Sequence, residues 1–283
     1  MQNNVDCEIL LSVIIPTCNR NNTLPRAIYS VLSQNVAGLE VIVVNDTENP
    51  ISNEILNIAK SYPVIFIKNP GKHGAASTRN YGVSIAKGTY ITFLDDDDIY
   101  LPGRLSNMLS LMMQDKYIMV SSGRFYETGD FETINQTSKQ LFGEITLKDI
   151  KYQNDIDIGF MMKRVDFIRF GGFDDSYRSL EDWDFILRVL DANKCFKIKR
   201  MDYVVNLDPN RARVSNYDYK SYLKIAELYK SKFGDKWYLK TKIYGLRLGC
   251  ELTLIFVFFS IIKLQDISPL VEYFRQLKNK IIK

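Results

Sequence analysis

The first hundred residues alternate short β-branched apolar runs with stretches of helical periodicity, and this alternation restricts the fold more than any other feature of the chain. "LSVIIPT" is the first apolar run, ended by Pro16. "TLPRAIYSVLSQ" follows, with Leu24, Ile28, Val31 and Leu32 on one helical face and Pro25 near the first turn. "EVIVVND" reads as a second strand, "NEILNIAKS" as a helix and "VIFIK" as a third strand. "GAASTRNYGVSIAKG" is a helix expected to end in a left-handed cap at Gly88. "YITFL" is a fourth strand, and the aspartates after it lead into the helix "PGRLSNMLSLMMQ". Strands apolar on both faces and separated by helices predict an α/β fold, with a mostly parallel central sheet flanked by helices. Ligands bind such sheets beyond the carboxyl ends of the strands. Asp46 and Asp95 to Asp98 stand at such ends, which makes them site candidates.

The second half is more mixed. It runs through "YIMVSSGRFYE" and "DIGFMMKR" to a turn, "GGFDD", and a helix, "LEDWDFILRVLDAN". A strand-like "CFKIKRMDYVVNLD" and a basic loop "PNRARVSN" come next. From about Asp218 the chain reads helical, with breaks near Gly234 and near Ser268–Pro269. We expect one domain over 1–217, in two parts at about 10–123 and about 124–217, and a basic, partly apolar helical extension over 218–283.

A single histidine, His73, removes Ser-His-Asp triads and His-rich metalloprotease motifs. A general base in this chain is therefore expected to be a carboxylate. The four cysteines are far apart in sequence and form no C-x-x-C pair, a pattern of reduced thiols in a cytoplasm. The opening "MQNNVDCEIL" is polar and acidic where a signal peptide would be basic, which gives the same expectation. Residues 220–283 hold 13 Lys/Arg against 5 Asp/Glu, whereas residues 1–219 hold 24 against 28. A basic tail on an acidic body suggests an anionic surface, membrane or nucleic acid, as partner.

Four adjacent carboxylates in "YITFLDDDDIY" repel one another. A solvated acidic turn is one use for them. A helix cap is a second, with Asp98 placed to gain about 1 kcal/mol from the following helix. A divalent cation held by hard oxygen ligands is the third, and it turns repulsion into attraction.

The blocks "SVIIPTCNR", "EVIVVNDT", "GAASTRNYGVSIAKGTYITFLDDDD", "GGFDD" and "EDWDFILRV" occur in the order found in the inverting family 2 glycosyltransferases of the GT-A fold, which this chain resembles over about residues 10–215. The resemblance implies a Rossmann-like GT-A catalytic domain over 1–217 with a C-terminal helical extension. It implies a nucleotide-sugar donor bound over about 10–123, the acceptor over about 124–217, and Mn²⁺ or Mg²⁺ on the donor's diphosphate. Asp95 and Asp97 match the family's Asp-x-Asp pair, with Asp97 the direct metal ligand and Asp95 nearer the ribose or the metal's waters. Asp96 fills the variable place. Asp46 matches the acid that accepts bonds from base or ribose, although Asn45 stands where a second aspartate is usual. Pro16, Thr17, Asn19 and Arg20 match the loop that lines the base, with Cys18 where an aromatic is common. Arg79 matches a basic residue that approaches the nucleotide. Arg211 and Arg213 are the basic candidates for touching the diphosphate.

Ser179-x-x-Asp182 fits a capping box. The resemblance implies instead that Asp182 is the catalytic base, and the two readings can hold together. Asp184 and Arg188 form an i, i+4 pair expected to be structural. The implied reaction is a single displacement that inverts the anomeric centre, with UDP the commonest nucleotide. Relatives with such tails imply a polyprenyl-diphosphate-linked sugar acceptor at the inner face of the cytoplasmic membrane, in assembly of bacterial surface polysaccharide (O-antigen or capsule).

"LTLIFVFFSII" (Leu252 to Ile262) has no charge, but a membrane span needs about 20 such residues. A buried or docking helix and an interfacial membrane helix both fit it. Two other functions fit the sequence less well. A sugar-phosphate nucleotidyltransferase would need a Gly-rich, basic loop after the first strand, which "PTCNRNNTLPRA" lacks. A non-catalytic nucleic-acid-binding protein has no use for the aspartates, and no nucleic-acid partner is expected.

Overall fold

The computed structural model describes residues 9–128, 134–136, 139–207 and 218–282, with the backbone alone for 134–136 and 279–282. These residues divide into two compact units. One runs through Asp175 and resumes at Phe185 for the last strand, and the other combines Ser176–Asp184 with the C-terminal helices.

The first unit is α/β. Strands β1 (Leu11–Thr17), β2 (Leu39–Asn45), β3 (Val64–Lys68) and β4 (Tyr90–Phe93) alternate with helices α1 (Leu24–Leu32), α2 (Asn53–Leu56) and α3 (Ala75–Ile85). They form a parallel array in the order β3-β2-β1-β4. Every residue of β2 and β4 is buried, as strands covered on both faces should be. β1 pairs Leu11 with Leu39 and Thr17 with Asn45, so the two strands end level and their loops open side by side.

The rest of the sheet is mixed. It uses β5 (Ile99–Tyr100), β6 (Met119–Glu127), β7 (Ile134–Gln136), β8 (Gly143–Ile145), β9 (Met161–Lys163) and β10 (Cys195–Asn206), with α4 (Arg104–Met112), α5 (Leu147–Ile150) and α6 (Arg164–Arg169) between them. β9 runs antiparallel to both β4 and β6, while β10 lies parallel to β6 and antiparallel to β5 and β8. Phe93, Phe160, Phe167, Phe173 and Phe185 pack ring against ring, and several centroid pairs lie 4.8–5.7 Å apart.

Three local expectations are corrected. "NEILNIAKS" is not one helix: α2 lasts one turn and continues as a 3₁₀ turn over Asn57–Lys60. Helix α3 ends at Ile85 without a left-handed residue, because Ala86 leaves at φ −57°, ψ 138°. Gly88 is needed for space: a Cβ there would meet the Ser12 nitrogen and hydroxyl at 2.6 Å. Asp98 does not cap α4, whose N-cap is the left-handed Gly103 (φ 85°).

The second unit is helical. α8 (Tyr219–Leu248) is interrupted at Gly234 (φ 80°, ψ 172°), where the sequence places a break. α9 (Leu254–Leu264) and α10 (Ser268–Ile282) follow. Leu239, Ile243, Leu252, Val257 and Leu264 form its core. Buried Gln276 bridges the N–H and C=O of Leu252, at 2.9 Å each. No described helix is long and apolar enough to cross a membrane.

Candidate active site

β4 ends in a turn that aims its four aspartates at different partners. Asp95 Oδ1 takes a bond from the Arg79 guanidinium at 2.5 Å. Arg79 rises from α3 and is almost fully buried, not the surface arginine its helix position alone would allow. Asp96 is buried and accepts from Arg20 at 2.6 Å, and Arg20 also lies 3.4 Å from Asp97. Burial pushes the Asp96 carboxyl above the usual carboxylate range, while Arg20 and the Thr17 hydroxyl oppose that shift. Asp98 accepts from the Tyr203 hydroxyl at 2.6 Å and from the Asn206 N–H at 2.9 Å.

One oxygen each from Asp95, Asp97 and Asp98 lies within 4.8 Å of the others. A hard divalent cation suits such a donor set. Four carboxylates and the two guanidinium groups that pair with them sum to a formal charge of −2. The residues present therefore fit Mg²⁺ or Mn²⁺. Asp96 faces Arg20 and lies outside the trio, while Asp98, expected to be a cap, lies within it.

The neighbouring loops build a second acidic point. Asp46 follows β2, and its N–H donates to the Thr17 carbonyl at 2.8 Å, which joins the ends of β1 and β2. Its carboxylate accepts from Asn69 Nδ2 at 2.7 Å and from the Gly74 N–H at 2.8 Å, with His73 Nδ1 at 3.2 Å. Gly74 sits at φ 131°, a backbone state L side chains rarely adopt, and it opens α3. Pro16 and buried Thr17 end β1. Asn19, left-handed at φ 57°, accepts from Thr47 and Asn49 at 3.1 and 2.8 Å. Cys18 is exposed on this loop.

Sequence reasoning did not single out Asn69, Gly74 or Tyr203, and it used His73 only to exclude chemistry. The signal for the first two was a lone histidine inside the polar run "NPGKHG", between a strand and a helix. Nothing local marks Tyr203, which lies 105 residues from Asp98.

Asp182 belongs to the second unit, in the first turn of α7 (Glu181–Val189). The proposed capping box does not form in that register. The helix begins at Glu181, its preceding residue Leu180 is left-handed at φ 67°, and the Ser179 hydroxyl donates to Asp218 at 2.8 Å. Asp182 is half-buried, and its Oδ1 accepts the Trp183 N–H at 2.7 Å. Asp184 is buried and receives the Tyr229 hydroxyl at 3.0 Å. In the first unit, Arg188 donates to the carbonyls of Phe170 and Gly172 and so braces the "GGFDD" turn. Arg211 and Arg213 lie outside the described residues.

The Glycosyl transferase family 2 profile matches residues 12–171, more than half of the chain. The protein belongs to this family. A curated family relative from Haemophilus influenzae, an uncharacterized glycosyltransferase, is 31% identical over 188 residues, 64% of this chain and 62% of its own. The Escherichia coli UDP-Glc:alpha-D-GlcNAc-diphosphoundecaprenol beta-1,3-glucosyltransferase WfaP is 36% identical over 122 residues, 43% of this chain and 48% of its own. The chain thus spans less than two thirds of these relatives. Among solved structures, Staphylococcus aureus TarS 1–349 in complex with UDP-GlcNAc superposes with a TM-score of 0.66 at 16% identity, over 95% of this chain and 80% of TarS. That likeness is one of fold, and it agrees with a GT-A domain followed by C-terminal helices.

Proposed function

We propose that the protein is an inverting glycosyltransferase that moves a hexose from a UDP-sugar to a hydroxyl of a polyprenyl-diphosphate-linked sugar. The observation that carries this reading is the trio Asp95, Asp97 and Asp98 at the carboxyl end of β4, in the same unit as Asp46 at the end of β2. In this reading Asp46 accepts from the base or ribose, with Pro16, Thr17 and Asn19 along the base. Arg20 and Arg79 hold the carboxylates in place and offer positive charge to the diphosphate, with Arg211 and Arg213 as further candidates. Asp97 and Asp95, joined by Asp98, would hold Mn²⁺ or Mg²⁺, which when bound offsets the charge of the leaving diphosphate.

Asp182 takes the proton of the acceptor hydroxyl as its oxygen bonds to the anomeric carbon and the bond to the nucleoside diphosphate breaks. In this reading no carboxylate acts as nucleophile on the opposite face, so one displacement inverts the centre. Residues 1–217 are the catalytic domain in this reading, and 218–283 a helical extension. The lipid-linked acceptor draws support from WfaP, whose name gives a diphosphoundecaprenol-linked acceptor. In this reading the enzyme works at the inner face of the cytoplasmic membrane, in surface polysaccharide (O-antigen or capsule) assembly, with peripheral contact through the extension.

Thermal unfolding with UDP and Mn²⁺ together, and with each alone, tests the donor site. Stabilisation by the pair beyond either alone supports the reading, and none by any combination overturns it. A screen of nucleotide-sugars for hydrolysis by the pure protein then identifies the sugar.

A further inference from the structure

α9 buries Val257, Ser260 and Leu264 against the core of the second unit. Its opposite face carries Ile255, Phe258, Phe259 and Ile262, spaced i, i+3, i+4, i+7, and none of these four is polar. Ile255 is 84% exposed and Ile262 75%. A helix lying on a protein core turns a polar face to water, so α9 is apolar on the side where water should be. The pattern continues past the turn. Ile267 is 69% exposed, and Val271 and Phe274 follow at helical spacing on α10, which packs against α9. Nine of the twenty large hydrophobic residues exposed among those described fall between Leu254 and Leu277. Scattered exposed apolar residues are ordinary, but a concentration on one helical hairpin marks an interaction surface.

We propose that these outward faces of α9 and α10 are the surface by which the protein rests on an anionic lipid bilayer. The inference deepens the membrane-side acceptor reading above and rests on it, though its test needs no transferase activity. Charge selects the occupant. Lys263 lies in the last turn of α9 with its ammonium 5.9 Å from the Phe259 ring centroid, Lys278 is exposed on α10, and Arg275, exposed beside it, pairs with Glu272. The segment from residue 220 holds 13 Lys/Arg against 5 Asp/Glu, so a second copy of this face would meet it with repulsion. A leaflet of anionic headgroups attracts the same charge and accepts the phenylalanines between its acyl chains. Length sets the depth: 11 residues of α9 extend about 16 Å, half of a hydrocarbon core, so the helix lies in the interface and does not cross it. Lysine stems can lie along the apolar face while their ammonium groups reach the headgroups.

The test is vesicle flotation of the full chain at low salt, with phosphatidylcholine alone and with added phosphatidylglycerol. Wild type should float with the anionic vesicles, and high salt should release at least part of it. The variant Ile255→Ser, Phe258→Ser, Ile262→Ser changes only exposed positions and should bind at least ~10-fold more weakly, with its thermal unfolding retained. Wild type that stays down with both vesicles overturns the proposal, as does a variant that floats as well as wild type. A concentration-dependent dimer in light scattering, lost in the variant and unaccompanied by flotation, would assign the face to self-association and also overturn it. Flotation without any effect of UDP and Mn²⁺ on unfolding would leave the lipid surface standing and remove the donor site. The reverse result would do the opposite.

Discussion

The Tyr203 hydroxyl donates to the Asp98 carboxylate at 2.6 Å and so ties the far strand β10 to the acidic turn after β4. Both groups are buried, and the same carboxylate accepts the Asn206 N–H. Asp98→Asn would turn an amide donor toward one of these two donors. We expect a loss of about 1–3 kcal/mol in stability, together with weaker binding of Mn²⁺ or Mg²⁺. Tyr203→Phe should lose roughly 1 kcal/mol and leave cation binding close to wild type. Denaturant unfolding and titration calorimetry on the two variants separate the roles. Equal cation affinity in Asp98→Asn would remove Asp98 from the trio.

Asp97 lies with Asp95 and Asp98 but also 3.4 Å from the Arg20 guanidinium, so its removal relieves repulsion and gives up an ion pair in the metal-free protein. Asp97→Ala is expected to unfold within about 1 kcal/mol of wild type without metal. It should lose the stabilisation that UDP and Mn²⁺ confer, which at a hundredfold excess over the dissociation constant is about 2.7 kcal/mol. EDTA should abolish transfer by the wild type. An active Asp97→Ala enzyme, or full activity in EDTA, would refute the assignment.

Asp182→Asn keeps an oxygen that can accept the Trp183 N–H, now 2.7 Å from Asp182 Oδ1, but it cannot take a proton. Donor binding should stay near normal while turnover falls at least ~10²-fold. A drop of no more than about threefold, set against that general-base contribution, would leave Asp182 a structural residue and make Glu181 the next candidate.

Arg104 is fully buried between the rings of Tyr100 and Tyr203, at 4.7 and 4.8 Å from their centroids. Its guanidinium donates to Asp202 at 2.9 Å, to the Gly159 carbonyl at 2.5 Å and to Ser122. Arg104→Met would leave the Asp202 charge buried without this partner. A cost of about 3–5 kcal/mol is expected in urea unfolding, and a cost under about 1 kcal/mol would contradict the buried-pair account.

Burial pushes the Tyr100 hydroxyl up to about 12 from its ordinary 10.0. A group whose folded pKa is raised binds more protons folded than unfolded in that window. Its contribution to stability is complete below pH 10 and is lost as pH rises toward 12. The unfolding temperature should fall across that range, with a shallower fall in Tyr100→Phe. Tyrosinate absorbance against pH follows the same event.

The parallel half of the sheet was readable because each of its strands is a local apolar run and each crossover a local helix. The acidic turn was readable because four like charges beside a buried strand demand an explanation. What escaped depends on distant chain. Asp98 looked like a cap because only its neighbours were in view, and its partners lie on β10. Ser179-x-x-Asp182 has capping-box spacing, yet Leu180 turns left-handed and moves the helix start by one residue. The buried Arg104 was hidden because its helix shows ordinary periodicity, and its partners sit on three separate segments of the sheet and its loops.

Gly88 joins a small buried knot at the opposite end of the strands. Its N–H donates to the Ser12 hydroxyl at 2.9 Å, that hydroxyl donates to Glu40 at 2.5 Å, and Glu40 also takes the Lys87 N–H at 2.7 Å. The knot acts as a gauge stop: it sets where β4 starts beside β1, with Leu11 opposite Tyr90, and so how far along the strand the first aspartate emerges. One residue inserted into the link at 86–89 would advance that aspartate by about 3.3 Å and turn it to the other face of the sheet. Substitutions can be absorbed near the aspartates by neighbouring side chains, but a change of length cannot be. An insertion or deletion in this connection is therefore expected to misplace charges that lie a whole strand away from it.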